Sequence, residues 1–216
     1  MFFCDMFQDS PVYSILSLGV AAWLFYTWLG DLKYLRKNGT PRRGAFAGAT
    51  PASVGLCAAG AIAALLLLAV NTVAESACGV SAEQTKVAPW ALLSWVGAAF
   101  VEELIFRGYL VVQNRGRIAL VTSIVLFSFV FAAGHPFLWN YEVPEGASLF
   151  AGTWSFNLSS QPLINTLAVF ECSLLFYALR FVPQNASRSL LPCVCAHAAY
   201  NCGVFAIKLS QGFVGW

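Results

Sequence analysis

The chain has 216 residues, 59% hydrophobic and only 10% charged, with a mean hydropathy of +0.70. That composition excludes a water-soluble domain and points to a polytopic membrane protein. A net charge of +2 gives no basis for nucleic-acid binding, and the basic residues are clustered in a way that membrane topology explains better.

The residues ahead of the first apolar run carry Asp5 and Asp9 and no Lys or Arg, the reverse of a signal-peptide n-region, so that run is expected to stay as a span. Runs long enough to cross about 30 Å of hydrocarbon fall at about 11–29, 52–70, 89–112, 118–134, 162–179 and 189–209. The expected fold is all-α, a polytopic membrane helical bundle of about six transmembrane helices forming a single domain over 1–216. Cys4, Cys57, Cys78, Cys172, Cys193, Cys195 and Cys202 are odd in number and scattered through apolar segments. They read as small membrane-helix residues rather than a disulfide framework.

Basic residues cluster in alternate connections. Lys33, Arg36, Lys37, Arg42 and Arg43 follow the first span, Arg115 and Arg117 precede the fourth, and Arg180 and Arg188 separate the fifth from the sixth, nine of the chain's twelve. The other connections hold Glu75, Glu83, Glu142 and Glu145 with only Lys86. The positive-inside rule therefore predicts a multi-pass protein of the cell (inner) membrane, with basic loops in the cytoplasm and both termini outside. The connection 136–161, with Trp139, Tyr141, Pro144, Gly146, Gly152 and Trp154, reads as an outer interfacial loop or re-entrant lid.

Within the third span, the apolar run 101–110 is interrupted by Glu102, Glu103 and Arg107. A charge at the centre of a membrane helix costs roughly 2.5 to 3.5 kcal/mol on insertion scales, so such residues usually face protein or a water-filled cavity and carry function. Residues four apart share a helix face, so Glu103 and Arg107 are expected to pair and lower the cost of burying each other. Glu102 is turned about 100° from that pair, toward a cavity where a carboxylate suits general-base work.

The fourth span ends in His135, just before Pro136, and the sixth sets His197 and Asn201 on one face. At about 1.5 Å per residue from the cytoplasmic arginines, Glu102 and Asn201 lie about 20 Å along their spans, His197 about 14 Å and His135 about 27 Å. Tilt and kinks absorb those differences. The polar residues of spans 3, 4 and 6 are thus expected to converge on an intramembrane cavity, near the bilayer centre or toward its outer side.

Taken together, these helices resemble the CPBP group of intramembrane proteases, which includes the eukaryotic CAAX prenyl endopeptidases and many bacterial relatives. Its pattern is a Glu-Glu-x-x-x-Arg helix, a Phe-x-x-x-His helix and a His-x-x-x-Asn helix. Here these are Glu102, Glu103 and Arg107, then Phe131 and His135, then His197 and Asn201. The resemblance covers about 89–204, the expected catalytic core, and the first two spans match only in being hydrophobic.

The resemblance implies a glutamate-dependent endopeptidase in which Glu102 and His135 activate a water. His197 and Asn201 would stabilise the oxyanion, and Glu103 with Arg107 would hold the helix in shape. Donors aimed at a developing oxyanion are worth about 3 to 4 kcal/mol each. No cofactor is implied, although the same residues also admit a divalent metal. The chain departs from the family at Glu171 and Cys172, where members commonly carry a glycine-containing stretch, and Glu171 is noted as an accessory catalytic candidate. It also has fewer spans than the eukaryotic enzymes and a long loop after His135.

Plainer readings stand beside these. Single membrane histidines often serve helix–helix hydrogen bonds, and Glu171 and Asn165 read first as interhelical hydrogen-bonding groups. Trp23, Trp28, Trp90, Trp95, Trp139 and Trp154 read as interface or lipid contacts. The run Cys193-x-Cys195-x-His197 suggests zinc, but residues two apart on a helix point about 200° apart, so no metal site is expected there.

The expected function is an intramembrane endopeptidase cutting a membrane-anchored protein or peptide, with the lipid bilayer as its other partner. Depth suits cleavage of such a partner near its outer end better than a prenylated CAAX tail delivered from the cytoplasm, and the resemblance to small bacterial members of the family implies removal of a C-terminal sorting signal. A non-catalytic membrane scaffold or bacteriocin self-immunity protein of the same fold is the first rival. A small proton-coupled transporter is the second, against which stands the lack of paired Gly/Pro-broken repeats.

Overall fold

The structure, a computed structural model, describes residues 11–81, 84–144, 146–148 and 150–215. Cys4, Asp5, Asp9, Glu83 and Glu145 lie outside them. The elements run α1 (Pro11–Asn38), α2 (Val54–Ala77), α3 (Ala91–Glu103), a π-helical segment (Leu104–Leu110), α4 (Gly116–Ala133), β1 (Trp139–Glu142), β2 (Thr153–Phe156), α5 (Ser160–Phe181), a short 3-10 turn (Pro183–Asn185) and α6 (Leu191–Ser210).

The six expected helices are present, but they are not alike. Four of them, α1, α2, α4 and α5, are long and apolar enough to cross a membrane. The other two carry most of the polar motif: α3 has 13 residues before its turns widen into the π segment, and α6 has 20. Both are packed inside the bundle, α3 against α1 and α6, and α6 against α2, α3 and α5. A helix that meets protein rather than lipid on its polar face has less need of an apolar surface all round.

Helices α1 and α2 overrun their expected ends, at 38 and 77. In α1, the helix continues through Lys33, Arg36 and Lys37 to Asn38, where cations near a C-terminus complement the helix dipole and long stems reach the interface. The loop that follows is pinned by Asp31, buried in α1, which pairs with Arg42 and accepts a 2.9 Å hydrogen bond from the Phe46 amide. Leu190 N then donates to Gly48 O at 3.1 Å, tying this loop to the start of α6. Gly48 has φ +64°, and a side chain there would run into Arg180 and Leu190, so glycine suits this crossing on both counts.

Close packing of α2 on α6 depends on small residues. A Cβ at Gly203 would collide with Leu68, and one at Gly60 would sit 3.0 Å from the Pro192 carbonyl, the situation that favours glycine where membrane helices approach. The first apolar cluster, Trp28, Leu32, Phe100, Leu104 and Leu190, joins α1 to α3 and the start of α6.

One sequence expectation is corrected here. Trp28 and Trp95 are not lipid contacts but buried core residues. The Trp28 ring packs edge-on to Phe100 at 5.9 Å and donates to Ala47 O at 3.2 Å, while Trp95 packs on Phe205 at 6.2 Å. The connection 136–161 contains a hairpin in which β1 and β2 pair antiparallel, Trp139 opposite Phe156 and Tyr141 opposite Trp154. Backbone groups leaving the end of α4 pair with one another in this hairpin, as polar backbone near a membrane must.

Candidate active site

Glu102 and Glu103 close α3, and the chain passes directly into the π segment that carries Arg107. Single π turns recur at functional positions in helices. Gly108, one residue on, lets this backbone meet the α1–α2 loop, since a Cβ would lie 3.2 Å from that of Ala47.

The expected pair between Glu103 and Arg107 forms, with both side chains fully buried and Nη1 3.2 Å from Oε1. Its surroundings explain how a guanidinium is tolerated here. Arg107 Nη2 donates to Ser173 Oγ at 2.7 Å, and Ser173 Oγ donates to Ser128 Oγ at 2.9 Å. The guanidinium carbon lies 4.5 Å from the ring centre of Phe131, 4.9 Å from Tyr177 and 5.2 Å from Phe176. Aromatic faces supply negative potential to a cation that has few acceptors. Tyr177 in turn donates to the Phe106 carbonyl at 2.8 Å, satisfying backbone of the π segment.

Glu103 also reaches a partner that helical spacing does not reveal. Its Oε1 lies 2.9 Å from His197 Nδ1 on α6. A carboxylate held by an arginine accepts, so Nδ1 carries the proton and the tautomer of His197 is set. His197 Nε2 then faces Glu102, 3.7 Å from Oε2. Its ring stacks on Phe176 at 4.8 Å. Glu103 is therefore more than half of a structural pair: it holds the imidazole whose other nitrogen faces Glu102. Glu103→Gln is expected to lower turnover of the folded protein through loss of that tautomer, an effect worth up to about 10⁴-fold in a comparable carboxylate–histidine pair, and also to lower Tm, because Arg107 is left buried without its partner charge. Steady-state kinetics beside thermal unfolding of the same sample checks it.

His135 sits just beyond α4, buried, with Nδ1 2.8 Å from the Phe131 carbonyl. A carbonyl only accepts, so Nδ1 is the donor and Nε2 is left as the acceptor. Phe131 stands between the two histidines, 5.0 Å from the ring centre of His135 and 6.2 Å from that of His197. Asn201, one turn after His197, donates to Trp95 O at 3.0 Å. One of its two amide hydrogens is used in this way.

His135, His197 and Asn201 meet at a cavity of about 360 Å³ that Trp95 and Phe131 also line, whereas Glu102, expected to face it, is not among the lining residues and lies next to it across His197 Nε2. Further along, it is bounded by the ends of α2 and α6 at Glu75 and Lys208 and by the start of α5 at Gln161 and Pro162. Those ends are opposite the ones carrying Arg42, Arg43, Arg115, Arg117, Arg180 and Arg188. The cavity therefore occupies the half of the bundle away from the basic loops.

The remaining candidates are placed less centrally. Glu171 is part-buried, and it is Ala168 and Cys172 on α5, not Glu171, that line the cavity. One residue is about 100° of helix rotation, which turns Glu171 off that face. Asn165 does line it. Through Cys193, Cys195 and His197 the helix is unbroken, with Cys193 Sγ directed at the Phe176 carbonyl, 3.2 Å away. Among the described residues, no three His, Cys, Asp or Glu side chains are grouped so as to hold a metal ion. Sequence reasoning missed Ser128, Ser173 and Tyr177. Nothing marks them in the chain, because a serine in a membrane helix is ordinary and the tyrosine acts on a backbone carbonyl of another segment.

Residues 84–203 match a family model described as Type II CAAX prenyl endopeptidase Rce1-like, a range that includes every motif residue just located. No curated protein and no solved structure matches the chain.

Proposed function

The chain belongs to the Rce1-like family of Type II CAAX prenyl endopeptidases, and from that membership we propose that it is an intramembrane endopeptidase using a glutamate- and histidine-activated water. The observation that carries the reading is His197 set between two carboxylates, Nδ1 at 2.9 Å from Glu103 and Nε2 at 3.7 Å from Glu102, at the cavity that His135 also lines.

In this reading Glu102 and His135 Nε2 remove a proton from water as it attacks the scissile carbonyl. The carbonyl oxygen gains the negative charge, stabilised by the second amide N–H of Asn201 and by Nε2–H of His197 in its imidazolium form, whose Nδ1–H stays on Glu103. As the tetrahedral intermediate collapses, the C–N bond breaks and the proton taken from water passes to the leaving amine. Glu103 and Arg107 fix His197 and the π segment and do not touch the reacting atoms.

The position of the cavity bears on substrate. With the basic loops in the cytoplasm, both termini and the open half of the bundle face outward across the cell membrane. That suits cleavage of a membrane-anchored protein near its outer end, such as removal of a C-terminal sorting signal, better than a prenylated tail presented from the cytoplasm. Residues 89–204 then form the catalytic core of a single transmembrane domain.

Purified protein, His135→Ala and His197→Ala are to be compared on a peptide library in detergent, with and without chelator. Cleavage by the wild type alone, insensitive to chelator, supports the reading. Equal cleavage by all three overturns the assignment of the histidines, and loss of wild-type cleavage with chelator replaces the glutamate–histidine mechanism with a metal-assisted one.

A further inference from the structure

The hairpin between α4 and α5 has two faces of opposite character. In the observed register, Trp139 lies opposite Phe156 and Tyr141 opposite Trp154. Residues two apart on a strand share a face, as do residues directly opposed, so these four aromatics form one face. Asn140, Glu142, Thr153 and Ser155 form the other.

The aromatic face is knit together. Trp154 lies 5.3 Å from Trp139 and 4.7 Å from Tyr141, ring centre to ring centre. It is nonetheless uncovered on its β2 side, where Trp154 is 60% and Phe156 73% exposed. An isolated two-stranded hairpin is at best marginally stable in water, and exposed aromatics grouped in this way mark a contact surface.

Where the hairpin sits identifies the contact. It joins the ends of α4 and α5 on the side away from the basic loops. Both helices carry exposed apolar side chains toward that end, Val125 and Phe129 on α4 and Leu163 and Leu167 on α5, and Leu158 continues the series between β2 and α5. The aromatic face is thus continuous with the surfaces that face hydrocarbon, at the level where tryptophan and tyrosine collect in membrane proteins. None of its four aromatics lines the cavity, so the hairpin does not close over the site.

We propose that the hairpin is an interfacial anchor whose partner is the lipid bilayer, with Trp139, Tyr141, Trp154 and Phe156 set into the headgroup and upper acyl region of the outer leaflet and the polar face toward water. Trp139 Nε1 donates to Ala133 O at 2.7 Å, which ties this anchor to the last turn of α4, immediately before His135. The anchor therefore fixes the depth of His135 in the membrane.

The test places the full chain in phosphatidylcholine vesicles brominated either near the top or near the end of the acyl chain, and reads tryptophan emission for wild type and Trp154→Phe. The emission removed by this substitution is expected to be quenched most by shallow bromine, less by deep bromine, and to be protected from aqueous iodide. Phe156→Trp is expected to add emission with the same profile, which keeps the test valid if Trp154→Phe is poorly folded. Quenching by iodide without response to either lipid overturns the proposal in favour of a water-exposed face. Stronger quenching by deep than by shallow bromine overturns the interfacial level, and resistance to all three overturns the lipid partner in favour of a protein-covered face.

Discussion

Glu102→Ala is expected to abolish peptide hydrolysis, with kcat falling by about 10²- to 10⁴-fold, the range a positioned general base supplies, while the fold survives. The two halves of that expectation have separate physical sources. Arg107 is paired with Glu103, at 3.2 Å, so removing the neighbouring carboxylate leaves that guanidinium matched. His197 keeps its 2.9 Å contact to Glu103 through Nδ1 and so keeps its tautomer. What is lost is the carboxylate facing Nε2.

Glu102→Gln sharpens the result, because it preserves shape and hydrogen-bonding capacity while removing the base. Purified variants assayed on the same peptides, with circular dichroism and thermal unfolding on the same preparations, separate chemistry from folding. If Glu102→Gln turns over at the wild-type rate, Glu102 is not the base. A biological activity that persists in this variant without any proteolysis points instead to the scaffold or self-immunity class.

Arg107→Ala is expected to fail in the other way, through stability. Removing one partner of a buried ion pair typically costs about 3 to 5 kcal/mol, because the other charge is left buried. That is a large part of the roughly 5 to 15 kcal/mol by which a typical domain is stable. Here the loss extends beyond the pair: Ser173 loses its donor and the rings of Phe131, Phe176 and Tyr177 lose the cation they enclose.

Thermal unfolding in detergent should therefore show a large drop in Tm or no recoverable protein. Arg107→Lys should fall between, keeping charge but losing the planar group that stacks on Phe131 and reaches Ser173 together. The double substitution Glu103→Gln with Arg107→Met removes both charges and is expected to recover much of the stability while remaining inactive. An Arg107→Ala protein as stable as wild type would show that the pair and its aromatic enclosure contribute little to the fold.

These two residues also show how far the chain could be read in advance. The pairing of Glu103 with Arg107 follows from their separation along one helix, and their burial follows from the apolar run around them. The meeting of Glu103 with His197 does not, because it joins α3 to α6, 94 positions apart. Nor does the hydrogen-bonded run from Arg107 through Ser173 to Ser128, which needs the crossing of three segments. Trp23 and Trp28 are chemically the same and lie on one helix, yet one is exposed and the other fully buried. Only the neighbour each faces distinguishes them.

The hairpin is an intermediate case. The alternation in Trp139-Asn140-Tyr141-Glu142 and Thr153-Trp154-Ser155-Phe156 has the two-residue period of strands. Each run is only four residues long, too short to outweigh the surrounding turn residues. Aromatic content alone suggested an interfacial segment and gave no sign of its pairing.

By itself, then, the sequence determined that this is a membrane helical bundle, where its apolar runs lie, and which residues carry the Glu-Glu-x-x-x-Arg, Phe-x-x-x-His and His-x-x-x-Asn pattern. Hydropathy, helical period and spacing are local properties of a chain. The tertiary structure alone decided that α3 opens into a π segment, that Glu103 holds His197 toward Glu102, and that the cavity occupies the half of the bundle away from the basic loops. Those features depend on how helices cross and pack, and side chains far apart in the chain meet only once that packing brings them together.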